Sequence, residues 1–296
     1  GAGIPDDAPR HKAEPNGARP RPAHAASAAE SRFARWRRET TGGLPFLPLF
    51  VLFGLNMADE LDRNAFGVLL PEIRDHFGLN TSGILTVVSL SLVAALLIAL
   101  PIGFLGDRSR RLPIALAGAV GWGVFSIMTG LAPTLLALGI ARAGSGLGRA
   151  VNEPVHNSLL ADYYDIPVRP RVYAVHRYAN ALGQFIGPLV GGVMAYYWGW
   201  RSPFFVFSFV TLFFGLLGLK LREPVRGRWE RKAMGMSDAV ADTEEEPASW
   251  AESFRIVWQV RSLRRIFFSL PFVAIALVGL LTLGGLYYDE VWGLNE

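Results

Sequence analysis

Cysteine is absent from the 296 residues, which excludes disulfide staples, thiolate metal sites and cysteine nucleophiles together. Charge is scarce as well. Only 18% of the residues are Asp, Glu, Lys or Arg while 51% are hydrophobic, and mean hydropathy is +0.29. A water-soluble chain of this length needs more polar surface than that, whereas helices facing lipid do not. A secretory signal is also missing: residues 1–43 are rich in Ala, Pro and Arg and contain no apolar core of about 7–15 residues. They read as a disordered basic tail, leaving the first apolar run as the insertion signal. The sequence opens on Gly1 rather than Met and stops at Glu296 soon after an apolar run, so both ends read as cut. Catalytic patterns are lacking too. There is no Ser/His/Asp order and no metal-spaced His pair, and the glycine-rich Gly144-Ser145-Gly146-Leu147-Gly148 lies inside an apolar run without the strand and Lys of a phosphate loop. The expectation is no enzyme, no cofactor and no metal.

What is present in quantity is long apolar sequence. Seven runs, at roughly 45–72, 82–105, 113–132, 134–162, 173–198, 203–221 and 266–288, approach or exceed the length of about 20 residues that crosses a bilayer as a helix. They are broken by Arg74-Asp75-His76, by Gly103–Arg111, by Ala132-Pro133, by Asp162–Arg171, by Gly199–Ser202 and by a polar linker at 222–265. Threading them alternately through a membrane puts 23 of the 29 Lys and Arg on one side and only Arg74 and Arg201 on the other, with Arg63, Arg142, Arg149 and Arg177 inside runs. The positive-inside rule makes the first side cytoplasmic. The same asymmetry accounts for the pI near 9.6 without invoking nucleic acid. The expected fold is an all-α, multi-pass membrane protein of the plasma (inner) membrane with a cytoplasmic N-terminus.

In the linker, Ser249-Trp250-Ala251-Glu252 has the pattern of a capping box. Trp250, Phe254, Val257 and Trp258 then recur at helical spacing, with Arg255, Arg261, Arg264 and Arg265 nearby. This is either an amphipathic helix lying in the cytoplasmic headgroup layer or a plain soluble linker helix.

Charges inside the runs need partners or a water-filled cavity. The first run places Asn56, Asp59, Glu60, Asp62, Arg63 and Asn64 between apolar blocks. Asp59 and Arg63 are four residues apart and Asp59 and Asp62 three apart, so one helical face should carry two carboxylates and a guanidinium. A carboxylate balanced between a cation that keeps it ionised and burial that favours its neutral form can bind and release a proton; the alternative is that these charges pair only to orient the helix. In the fourth run Arg142, Arg149, Glu153 and His156 share a face. In the fifth, Gly183, Gly187 and Gly191 form a small-residue stripe that permits close helix approach. Pro188 removes a backbone donor and favours a bend. His176, Asn180 and Gln184 follow at four-residue intervals and add polar groups, either to a cavity or to structural hydrogen bonding.

The hairpin Gly103-Phe104-Leu105-Gly106-Asp107-Arg108-Ser109-Arg110-Arg111 resembles the loop between helices 2 and 3 of the major facilitator superfamily, with Arg110 where that pattern prefers Gly. Arg142 with Gly146 and Gly148 resembles the family's helix-4 pattern, whose Arg is associated with proton transfer. Gly187-Pro188-x-x-Gly191-Gly192 resembles its helix-5 antiporter motif. The resemblance covers 44–296 and implies a twelve-helix transporter of which this chain holds a tail (1–43), a six-helix N-terminal bundle (44–221), a cytoplasmic linker (222–265) and the first helix of the second half (266–296). It implies secondary transport of a small amphipathic or charged organic solute by alternating access, with protons, the bilayer and the missing C-terminal half as partners and no role for nucleic acid. Proton-coupled export leads; a non-transporting sensor fused to a missing cytoplasmic domain is the alternative. The proton and substrate residues would be Asp59, Asp62, Arg63, Arg142, Arg149, Glu153 and Gln184, with Arg149 reaching across to Asp59 or Asp62 because helices 1 and 4 line the cavity in that fold. Gly103, Gly106, Asp107, Arg108 and Arg111 would form a cytoplasmic gate, Asp107 at a neighbouring helix N-terminus and the arginines against Asp162 or Asp165. Gly183, Gly187, Pro188, Gly191 and Gly192 would pack as a hinge against the opposite half. Asp62-Arg63-x-x-x-Gly67-Val68-Leu69 with the hairpin looks spinster-like, although Arg149 stands where spinster-like sequences carry an acid. Asn157–Tyr164 is similar to actinobacterial members. By itself, the chain is expected to be inactive.

Overall fold

A computed structural model describes residues 31–80, 108–149, 152–243 and 249–270, with scattered positions between 82 and 101 and at 272 and 273. Among the described residues all regular structure is helical: α1 (Arg32–Thr41), α2 (Leu47–Val68), α3 (Leu70–His76), α4 (Arg111–Leu131), α5 (Leu135–Arg149), α6 (Asn152–Tyr163), α7 (Arg169–Trp198), α8 (Ser202–Gly218), α9 (Arg228–Ala233), α10 (Asp238–Ala241) and α11 (Trp250–Gln259). Gly103, Gly106 and Asp107 of the hairpin, most of the second apolar run and the seventh run beyond residue 273 lie outside the described residues.

The uncharged stretch after Arg111 gives α4 its 21 residues, about 31 Å of helix and enough to cross a bilayer. It packs on α5 and α8, while α2 packs on α7 and α8. Glycines make the first of these contacts close. A Cβ at Gly148 would stand 2.6 Å from the Gly118 carbonyl oxygen, and one at Gly144 would meet the Phe125 ring at 2.5 Å.

α2 links two apolar cores. Leu49 and Leu52 join Leu112, Val155, Leu159, Leu160, Tyr164 and Val172 at one end. Phe66 and Leu69 join Ile73, Ala132, Leu138, Trp200 and Phe204 at the other. The polar stretch Asn56–Asn64 lies between them, so apolar packing seals both ends of a charged middle layer. The start of α2 is held by Tyr164, whose hydroxyl accepts from Leu49 N (3.1 Å) and donates to the Pro45 carbonyl (2.7 Å).

Two elements differ from the sequence reading. Residues 32–41, assigned above to a disordered tail, form α1. Ser31 caps it by accepting from Ala34 N at 3.1 Å, and Gly42 ends it in the left-handed region at φ 63°. The glycine stripe of α7 packs on α2 of the same bundle rather than on an opposite half. A Cβ at Gly183 would lie 2.2 Å from that of Glu60, at Gly187 2.9 Å from the Leu61 carbonyl, and at Gly191 2.6 Å from the Ala65 Cβ, whereas nothing lies within 4 Å at Gly192. α7 runs on as helix through Pro188. In the linker, Ser249 accepts from Glu252 N (3.2 Å) at the start of α11, as the capping pattern requires.

Candidate functional site

The charged middle layer is built where α2 faces α5. Asp62 is fully buried, and its Oδ2 lies 3.0 Å from Nη1 of Arg142, itself 95% buried in its side chain. The other carboxylate oxygen accepts a 2.5 Å hydrogen bond from the Ser126 hydroxyl on α4. The Arg142 guanidinium also sits 3.9 Å from the centre of the Phe66 ring, an arrangement in which the aromatic face adds electrostatic attraction. One helical turn along α2, Asp59 Oδ1 lies 3.2 Å from Nε of Arg149. The spacing of seven residues between Arg142 and Arg149 is two turns of α5, which puts both arginines on the side facing α2.

Arg63 Nη2 donates to both carboxylate oxygens of Glu60, at 2.5 and 2.6 Å, an i,i+3 pairing on α2. Glu60 continues into a polar chain: Asn180 donates to its Oε1 (3.0 Å), Asn64 to its Oε2 (3.1 Å), and Asn56 donates to Asn180 Oδ1 (2.8 Å) and to the His176 carbonyl (3.2 Å). Glu60 was not singled out from the sequence. The close approach of Gly183 to Glu60 is the signal that could have found it, because a glycine stripe opposite a carboxylate lets a neighbouring helix supply donors. Gln184, on the exposed side of α7, is not brought into this network. His156 and His176 meet edge to face, ring centres 5.7 Å apart, in a buried position. The Glu153 side chain lies outside the described residues.

A second cluster closes the end of the bundle at which α4 begins. Arg111 is buried at the first position of α4; its Nη1 lies 2.5 Å from Asp162 and also donates to the Ser158 hydroxyl and carbonyl. Glu223, beyond α8, accepts from the backbone N–H groups of Arg111 (3.0 Å) and Leu112 (2.8 Å). A carboxylate is favoured there because the helix N-terminus presents unpaired donors and positive charge. Asp162 also accepts from Gly227 N (2.8 Å), and its carbonyl from the Trp229 indole (2.9 Å). The sequence pairing of Arg111 with Asp162 is present in the structure. Glu223, which follows Arg111 by 112 residues, was missed. Arg108 is exposed. Nearby, Arg169 bonds Glu230 at 2.5 Å, and that hydrogen bond holds the Glu230 carboxyl below the usual carboxylate range. Burial pushes the Tyr163 and Tyr164 phenols up. Among the described residues no group of three or more His, Cys, Asp or Glu is placed to hold a metal ion.

Among the described residues one helix, Arg111–Leu131, is long and apolar enough to cross a membrane, and the bundle around it buries ion pairs between apolar cores. Residues 52–295 match the family profile of the Major Facilitator Superfamily, and the chain belongs to that family. Membership places it among transporters rather than enzymes. Human spinster homolog 1 is 28% identical over 246 residues, 80% of this chain and 44% of that protein. The multidrug efflux pump LfrA of Mycolicibacterium smegmatis is 31% identical over 198 residues, covering 64% and 38%. A probable L-galactonate transporter of Escherichia coli is 27% identical over 169 residues, covering 57% and 37%. The chain therefore spans well under half the length of these relatives. A crystal structure of a bacterial homolog of the human lysosomal transporter spinster, inward-facing and unoccupied, superposes with a TM-score of 0.62 at 20% identity over 85% of this chain and 57% of that one, a likeness of fold.

Proposed function

We propose that the complete protein is a secondary active transporter that moves a small amphipathic or charged organic solute by alternating access, driven in the export direction by protons. The observation that carries this reading is the pair of buried interhelical ion pairs, Asp62–Arg142 and Asp59–Arg149, at 3.0 and 3.2 Å. Ionisable groups in the interior of a membrane bundle are costly and mark ion or substrate paths. Protonating Asp62 removes the charge that holds Arg142, freeing the guanidinium to bind an anionic group or to stand off a cationic one. Loss of that proton restores the carboxylate and with it the pair. Relatives named as efflux pumps and transporters support the direction and the class.

In the same reading, Arg111, Asp162 and Glu223 are the static half of a cytoplasmic latch completed by the hairpin residues Gly103, Gly106, Asp107 and Arg108. The ends of α4, α6 and the post-α8 segment converge on it, so its opening is a discrete step of the kind alternating access requires.

The test uses the full-length protein in proteoliposomes enclosing a pH-sensitive dye, challenged with amphipathic cations and with carboxylated or phosphorylated amphiphiles. Solute-dependent proton flux is expected in the wild type and not in Asp62→Asn or Arg142→Ala. Equal flux in all three would remove the coupling assignment, and no flux with any solute would favour a non-transporting module.

A further inference from the structure

The helix α1 is not used by the proposed transport cycle, and its surface is unusual. Phe33 is 61% exposed and Trp36 41% exposed, and Arg32, Arg35, Arg37 and Arg38 are all exposed around them, against a single Glu39. We propose that α1 is a membrane-surface anchor whose aromatic side lies in the lipid headgroup layer and whose arginines bind anionic phospholipid headgroups.

Three observations carry this. First, α1 is a fixed platform. Thr40 and Thr41 are buried, Arg171 on α7 donates to the Glu39 carbonyl at 3.0 Å, and the left-handed turn at Gly42 packs on Val168, whose Cγ1 would stand 3.1 Å from a Cβ there. Second, only five residues separate α1 from α2, so a helix docked in this way is held close to the membrane face at which α2 enters. Third, the exposed aromatics are continuous with the apolar outside of the bundle. Phe33 and Trp36 meet each other at 5.6 Å and meet Phe46 at 6.3 and 5.9 Å. Phe46 stacks on Phe50 at 6.2 Å; Phe50, 41% exposed, meets Phe214 at 5.3 Å, and Phe214 meets Phe213.

An aromatic ladder that starts on a membrane-spanning surface and ends on a helix at its edge places its last rings at headgroup depth. Trp and Phe are favoured there, and arginine stems can lie along apolar surface while their heads reach phosphate. The excess of positive charge selects anionic lipid.

These 296 residues hold no cysteine, and any cysteine in the remainder of the full-length protein is first replaced by Ser. Phe33→Cys in the full-length protein is labelled with the environment-sensitive fluorophore NBD, an aromatic group standing in for the lost ring. The protein is then reconstituted into vesicles of phosphatidylcholine with or without phosphatidylglycerol. Asp238→Cys, on the exposed α10, is the water-facing control. With phosphatidylglycerol the Phe33 label is expected to emit to the blue of the control, to be quenched by iodide at least roughly twofold less, and to be quenched more by shallow than by deep doxyl-labelled lipid. Replacing Arg32, Arg35, Arg37 and Arg38 by Gln is expected to abolish the difference between the two vesicle types. Iodide quenching equal to that of the control would overturn the proposal. So would protection without shallow-lipid quenching, which means a protein cover, and so would insertion indifferent to phosphatidylglycerol.

Discussion

Asp59 and Arg149 form a pair whose value lies in its being closed: two charges removed from water are tolerable together and costly apart. Taking one partner away from such a buried pair costs about 3–5 kcal/mol, largely because the other charge is left uncompensated. Asp59→Arg and Arg149→Asp are each expected to lower the melting temperature of the purified protein, and the double exchange to recover most of the loss. Thermal unfolding of the three variants checks this, and a double exchange no better than the worse single would mean that the two side chains do not act on one another. Arg149 as the partner of an α2 carboxylate was implied beforehand by the family resemblance, in which helices 1 and 4 line one cavity. The polar chain around Glu60 was not, because it depends on the position of α7, which brings Asn180 to within 3.0 Å of Glu60.

At the scale of elements, the contact between α2 and α7 is set by absence of side chains. Gly183 and Gly191 leave no room for even a methyl group against Glu60 and Ala65, while Gly192 faces open space. Gly183→Ala is therefore expected to destabilise by about 1–3 kcal/mol through forced separation of the helices. Gly192→Ala should be neutral or slightly stabilising, since alanine is the better helix former. The two melting temperatures, measured side by side, decide the point; equal shifts would show that the stripe is not a contact. Periodicity identified the stripe itself, but periodicity is silent on which neighbour it meets. The stripe was assigned to an opposite half and instead serves the packing of α7 on α2. The capping box before α11 is the opposite case: all of its atoms lie within four residues, so the sequence sufficed.

For the molecule as a whole, orientation rests on the distribution of 23 Lys and Arg to one side. In a background where any cysteine beyond these 296 residues is replaced by Ser, Asp238→Cys in the 222–265 segment is expected to react with a membrane-impermeant maleimide in inside-out vesicles and not in intact cells, and Pro133→Cys to show the reverse. The same side selection in both would contradict the charge-derived topology. The cluster at the start of α4 shows why chain-wide charge matters locally: Arg111, Asp162 and Glu223 come from three separated stretches, and Arg111 meets Asp162 at 2.5 Å and Glu223 at 3.0–3.6 Å.

Hydropathy and short motifs were enough to establish an all-α membrane protein, its family and several residues of the charged layer. These are properties of segments, and segment properties depend on neighbours a few residues away. The tertiary structure alone decided that Glu60 receives both Arg63 and Asn180, that Glu223 caps α4, that Gly183, Gly187 and Gly191 face α2, and that residues 32–41 fold onto the bundle as α1. Each of these depends on which surfaces meet across distant stretches of chain, and that choice is made by packing the whole bundle at once.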